Sequence, residues 1–246
     1  MVDHEALCAG VGSLLDRMRS EERLFAERLS TTERDEQGAP TRWSAKATLA
    51  HITDFKAEQI TRLEAVRAGV EPPELLLRDH ADPELYAEYV ARDWNRVGVD
   101  AERTATDLRE HVQKLDAEVF CTPGAFPWLR GRALWAQVLV RGVWHPSAHL
   151  HQYLAERGRF ERVVELQESL LEGATSARIP DVPGGRPFAL YNLACARSLS
   201  GELEPALTGL EEAVRLDPTL AASAQEDDDL ASLRSDARFD ALVAAV

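Results

Sequence analysis

The chain has 246 residues, of which 45% are hydrophobic and 28% charged, a composition that excludes disordered and collagen-like classes. The formal net charge is −14, which argues against a nucleic-acid surface because phosphate binding depends on clustered Lys and Arg. Half of that charge lies in residues 187–246, which carry 11 acidic and 4 basic side chains. This acidic tail is therefore predicted to form a region distinct from the rest of the chain.

No apolar run reaches the roughly 20 residues of a membrane helix, and the N-terminus lacks the basic start of a signal peptide. Three scattered cysteines form no CxxC pair, so they are interpreted as reduced thiols. We therefore expect a cytoplasmic protein with no membrane span.

Apolar residues recur at three- and four-residue spacing throughout, and no period-2 run appears, so the fold class is predicted to be all-α. Long amphipathic helices are predicted over 3–29, 44–69, 82–116 and 132–156, the third bent at Gly98. A polar stretch at 31–41, Pro72-Pro73 and a turn-rich loop at 122–128 separate them. Helices of this length and connection predict a four-helix bundle in residues 1–157.

After the bundle, residues 158–186 are predicted to form a connecting helix, over 160–172, and a linker rich in Pro and Gly. Residues 187–246 resemble one tetratricopeptide repeat followed by the end-of-group variant, with Ala194 on the first helix, Gly201 at the turn and Pro218 after the second helix. A single repeat cannot bury its own faces, so we expect it to cap the bundle. A partner-binding surface is the alternative.

Three histidines on two predicted helices are the candidate metal ligands. His145 and His149 lie four residues apart, so both imidazoles share one helix face, and His51 lies at mid-helix on a second element. His151 points to a different face and is not included. Three imidazoles that converge in a bundle would leave positions open for water or substrate. Satisfied core or interface histidines are the alternative, because seven histidines also produce this spacing by chance.

Pro146 lies between the two histidines of the pair. A mid-helix proline removes one hydrogen bond and crowds the carbonyl four residues earlier, which costs about 3 kcal/mol. Because that earlier residue is Gly142, a kink is predicted rather than a break. The alternative is that Pro146 begins a new helical segment.

The stretch from Trp43 through His51 (WSAKATLAH), followed later by HPSAHLHQY from His145, resembles the DinB/YfiT superfamily of four-helix bundles, and its ClbS/DfsB-like members most. The resemblance covers residues 1–157. It implies that His51, His145 and His149 hold a divalent metal such as zinc, nickel or iron. It also implies either a thiol-dependent transferase, with a low-molecular-weight thiol as co-substrate, or ClbS-like ring opening of a reactive compound.

Asp54 and Glu58 follow His51 by one and two turns on nearly the same face, so both are candidate catalytic bases or orienting groups. Arg141, one turn before His145, is a candidate for binding a carboxylate. The first functional hypothesis is a metal-dependent hydrolase or thiol transferase that acts on a reactive small molecule in detoxification or self-resistance. The second is a non-catalytic binding or stress-associated protein whose acidic tail contacts a partner. A homodimer is left open.

Overall fold

The computed structural model describes residues 3–73 and 82–244. About 76% of the described residues are helical and none lies in a β-strand, so the predicted all-α class is confirmed. In chain order the helices are α1 (His4–Glu27), α2 (Thr31–Asp35), α3 (Ala45–Ala68), α4 (Pro83–Ala91), α5 (Trp94–Gln113), α6 (Ala117–Cys121), α7 (Leu134–Leu139), α8 (His145–Ala155), α9 (Phe160–Ser176), α10 (Arg186–Ser200), α11 (Leu203–Leu216), α12 (Leu220–Glu226) and α13 (Ala237–Val243).

Three short segments complete the helical path. A turn of 3₁₀-helix spans Pro127–Leu129 and another spans Asp228–Leu233, while a π-helical turn, Val140–Trp144, joins α7 to α8. Within the ranges that the structure describes, no helix combines the length and the apolar character needed to cross a bilayer.

The third predicted helix is two helices, because the chain turns at Arg92 and Asp93 rather than at Gly98. Arg92 has an extended backbone, and the Asp93 carboxylate accepts the Arg96 N–H at the start of α5. An aspartate that caps a backbone N–H ends one helix and begins the next. Gly98 lies inside α5 with regular helical neighbours.

The predicted polar connection at 31–41 contains the short helix α2. Ser30 accepts a hydrogen bond from the Glu33 N–H, and the Glu33 carboxylate accepts the Ser30 N–H, which is the reciprocal capping box.

The long helices α1, α3 and α5 and the α7–α8 pair pack side by side around one core, with α9 laid against α1 and α8. The core includes large side chains with almost no exposed surface, among them Trp144, Tyr153 and Phe120. This bundle-like core places mid-helix positions of α3 opposite the junction of α7 and α8.

The acidic tail is anchored through α10, which contributes to two hydrophobic cores. One face buries Ala189, Leu193 and Ala196 in the bundle core, and the other buries Tyr191 and Cys195 among α11, α12 and the segments after them. The helix hairpin α10–α11 turns at a left-handed glycine, as a C-terminal cap requires. The tail therefore shares buried surface with the bundle along the whole of α10.

Candidate metal centre

His51 is held at a fixed depth by the ends of α3. The Ser44 hydroxyl accepts the Ala47 N–H at the first turn, and Gly69 closes the last turn with a φ of 68°. Glycine is preferred at a helix end with positive φ, because the Cβ atom of any other residue would clash with the backbone there. The imidazole of His51 has no exposed surface.

The second and third histidines follow the π-helical turn before α8. The His145 N–H donates to the Val140 carbonyl, five residues earlier, and Pro146 then occupies the first turn of α8. The wider turn accepts the proline without ending the helical path, and such π turns occur often at functional sites. The α-helix resumes at His145, one residue before Pro146, and the backbone stays helical through the π turn. The alternative, a new segment that begins at Pro146 with His145 in the preceding turn, is therefore wrong.

Gly142 in this turn serves packing against neighbouring helices. A Cβ atom at this position would lie 2.5 Å from Leu15 Cδ2 and 3.0 Å from Leu108 Cδ2. The first distance is shorter than real Cβ contacts and the second is tighter than most of them, so the glycine lets the π turn approach α1 and α5 closely. The prediction that Gly142 makes room for the proline ring overlooked these two long-range neighbours.

The structure brings the three predicted ligands together. One donor nitrogen of each of His51, His145 and His149 lies within 4.8 Å of the others. The Nε2 atoms of His51 and His145 are 3.1 Å apart. Two nitrogens bound to one tetrahedral zinc ion at about 2.0–2.1 Å lie roughly 3.3–3.4 Å apart. The donor set and its spacing therefore fit a single divalent ion, so the residues can hold one.

Aromatic side chains fix the orientation of two of the three rings. The Tyr89 hydroxyl lies 3.4 Å from His51 Nδ1, which leaves Nε2 facing the other histidines. Phe55 stacks on His145 with ring centroids 3.8 Å apart and an angle of 13°. A hydrogen bond to the second ring nitrogen sets the tautomer of a metal-binding imidazole, and ring stacking restrains the direction of the ring. Tyr89 and Phe55 were not assigned to the site from sequence, although Phe55 lies four residues after His51 on the same helix face.

The two predicted catalytic carboxylates each pair with an arginine. Asp54 makes two hydrogen bonds to the Arg92 guanidinium, at 2.9 and 2.8 Å, and Arg92 lies over the Tyr89 ring at 5.0 Å. The hydrogen bonds that Arg92 donates to Asp54 raise the pKa of Arg92. Asp54 therefore reaches the triad through Arg92 and Tyr89 rather than by direct contact.

Glu58 acts on the other side of the site. Its Oε2 atom accepts a hydrogen bond from Arg141 Nη2 at 2.6 Å, and the Arg141 guanidinium lies 4.0 Å from the Phe55 ring that stacks on His145. Burial lowers the pKa of Arg141, and the Glu58 carboxylate opposes that shift. Arg141 binds a carboxylate as predicted, but the carboxylate belongs to this chain. The role of Asp54 and Glu58 as bases stays a prediction.

A cavity of about 280 Å³ opens beside His149. Trp43 lies nearly parallel to the His149 ring, at 9° and 6.1 Å between centroids, and both residues line the cavity. Glu156 contributes a carboxylate to the same lining. Tyr153 also lines the cavity, and burial raises its pKa to about 12, so its hydroxyl stays protonated at neutral pH. Sequence reasoning missed the Glu156 carboxylate, which lies two turns after His149 and directly follows the last residue of α8.

A scan against models of protein families gives no match for this chain, and searches of the curated proteins and of the solved structures give none either. The histidine cluster and its neighbours are thus the observations on which a function can be argued.

Proposed function

We propose that the chain is a DinB/YfiT-like metalloenzyme, a hydrolase or thiol transferase, that acts on a reactive small molecule. The observation that carries the proposal is the convergence of one ring nitrogen from each of His51, His145 and His149 within 4.8 Å. The four packed helical units and the α10–α11 hairpin support the proposed DinB-like bundle and tetratricopeptide-like tail.

His51, His145 and His149 would hold the ion, with zinc, nickel and iron as the candidates, since imidazole suits all three. A divalent ion in such a site supplies Lewis acidity and lowers the pKa of a water or thiol toward neutrality. Three protein ligands leave a coordination position for the reacting group.

The chain's own residues then bind and orient the substrate. The cavity at His149 has a volume of about 280 Å³, at the small end of the range for ligand pockets. Trp43 offers a flat apolar wall, and the buried Tyr153 hydroxyl, which is protonated at neutral pH, does not act as a base. Glu156 is the carboxylate positioned to accept a proton there.

The charge at the cavity comes from one lining carboxylate, Glu156, and from the ion that the triad would hold beside His149. The described residues that line the cavity include no Lys or Arg. The positive charge of a divalent ion would pair with a thiolate or another anionic group bound next to it. The lining is therefore compatible with an electrophile and with a thiol co-substrate.

The experiment measures metal content and turnover in the full-length chain. Wild type should retain about one divalent ion at the triad, and turnover of a panel of small epoxides, activated esters and strained rings, with and without added thiol, should require the ion. His51→Ala, His145→Ala and His149→Ala should each lose both. His111→Ala is the matched control, because this histidine on α5 lies outside the triad and pairs with Glu64 on α3.

Metal content that stays at the wild-type level in the three alanine variants would refute the metal site at the triad. Stoichiometric metal at the triad with no turnover of any compound would favour the second hypothesis, a non-catalytic binding protein.

A further inference from the structure

A second group of ligand-type side chains lies where the bundle meets the acidic tail. Cys195 comes from α10, and Asp227 and Asp229 come from the start of the 3₁₀ turn after α12. One donor atom of each lies within 4.8 Å of the others. His151, on α8, reaches the same place from the bundle side, with its Nε2 atom 3.1 Å from Asp229 Oδ2.

His151 has an unusual environment for a buried imidazole. Its side chain is only 8% exposed, yet its Nε2 atom makes no hydrogen bond within the part of the chain that the structure describes. The nearby Asp229 oxygen is close enough for a hydrogen bond but lies outside the bonding direction of the ring nitrogen. A buried polar atom without a hydrogen bond costs about 1–3 kcal/mol. A cation between Nε2 and the carboxylate would remove that cost.

Cys195 is buried beside negative charge. Its thiol lies 3.6 Å from Asp227 Oδ2, and burial followed by the Asp227 and Asp229 carboxylates raises its pKa well above the ordinary value. A thiol in this setting keeps its proton unless a cation is present. Divalent ions reverse this preference, because a coordinating thiol loses its proton to the ion's charge.

We propose that Cys195, Asp227, Asp229 and His151 bind one zinc ion that fixes the acidic tail to the bundle. On binding, the S–H bond of Cys195 breaks, its proton leaves to solvent, and the thiolate forms the bond to zinc. A thiolate and an imidazole select zinc over magnesium or calcium. Ligand atoms of a tetrahedral zinc site lie roughly 3.3–3.8 Å apart. The distances of 3.6 Å between Cys195 Sγ and Asp227 Oδ2 and 3.1 Å between His151 Nε2 and Asp229 Oδ2 are close to this range.

Two further contacts suit a structural site. The Tyr191 hydroxyl donates to Asp227 Oδ2 at 2.8 Å, and the Asp229 N–H donates to Asp227 Oδ1 at 3.0 Å, so this carboxylate is already oriented. Asp229 is 39% exposed, which gives the ion a path from solvent. Four protein ligands close the coordination sphere, in contrast to the three histidines of the candidate metal centre.

The test uses Co²⁺ as the probe, because a thiolate bound to Co²⁺ absorbs in the near ultraviolet and imidazole ligands alone do not. Co²⁺ titrated into the reduced full-length chain should produce this band. Cys195→Ser should abolish it, while Cys121→Ser, a change at another buried thiol, should leave it unchanged. His145→Ala should also leave it unchanged, which separates this site from the histidine triad.

Two variants keep the test independent of folding of the Cys195 variant. Tyr191→Phe should weaken the Co²⁺ affinity about 10- to 100-fold, as loss of an orienting contact does. Asp229→Asn, at a partly exposed position, should weaken it further while the helical circular-dichroism signal stays at the wild-type level. Absence of the band in wild type, its persistence in Cys195→Ser, or wild-type affinity in Asp229→Asn would overturn the proposal.

Discussion

Glu58→Gln separates two roles for a residue predicted to be catalytic. The Arg141 guanidinium that Glu58 pairs with is 6% exposed and lies in the π turn that leads to His145. Removal of the carboxylate charge leaves a buried cation without its anionic partner. Such losses cost about 3–5 kcal/mol in fully buried pairs. Because Glu58 itself is 26% exposed, we expect a smaller loss of about 2–3 kcal/mol in the free energy of unfolding.

For a chain of this size, this loss lowers the unfolding temperature by roughly 4–12 °C. Displacement of Arg141 also frees the Phe55 ring that stacks on His145, so zinc affinity should fall about 10-fold or more. Thermal unfolding followed by circular dichroism measures the first effect, and competition with a chromogenic chelator measures the second. The matched control is Glu64→Gln on the same helix, where a 58% exposed carboxylate should contribute within about 0.5 kcal/mol.

A catalytic base would give a different pattern. Glu58→Gln would then reduce kcat and leave both the unfolding temperature and the zinc affinity at the Glu64→Gln values. That result would refute the reasoning that Glu58 acts on the site through Arg141.

Three further substitutions test the packing around the site. Lys56→Met leaves Glu22 buried without the ammonium that lies 2.5–2.6 Å away, so we expect a loss of about 3–5 kcal/mol by urea unfolding. Burial raises the pKa of Glu22. The difference in free energy of unfolding between wild type and Lys56→Met should therefore narrow as the pH falls through that pKa and the carboxyl becomes neutral. A difference that does not change with pH would contradict this. Gly142→Ala places a Cβ 2.5 Å from Leu15 and should cost about 1–3 kcal/mol, with unchanged stability as the contrary result. Tyr153→Phe removes a buried hydroxyl that has no hydrogen-bond partner among the described residues. Calorimetry should therefore show a stability equal to or higher than that of wild type. A loss above about 1 kcal/mol would show that the hydroxyl has a hydrogen-bond partner.

The helical class and the candidate ligands were predictable because they depend on local spacing. A 3.6-residue period places His145 and His149 on one face, and the depth of His51 in its helix brings it opposite them. The break at Asp93 also had a local signal, since aspartate is a preferred helix cap. The three- and four-residue spacing of apolar side chains continues across Asp93, and this spacing favoured one long helix.

The surroundings of the triad were not predictable in the same way. Arg92 reaches Asp54 from 38 residues away and Arg141 reaches Glu58 from 83 residues away. Such pairs depend on how helices cross, which spacing within a helix does not specify. The π turn also escaped prediction, although Pro146 marked the place where a regular helix was in conflict with the sequence.

Crystals of the full-length chain grown with zinc, measured on both sides of the zinc absorption edge, test the central claim most directly. The account predicts an anomalous peak about 2.0–2.1 Å from one ring nitrogen of each of His51, His145 and His149. Clear density for the three rings with no peak between them, and with direct hydrogen bonds joining the imidazoles, would contradict it.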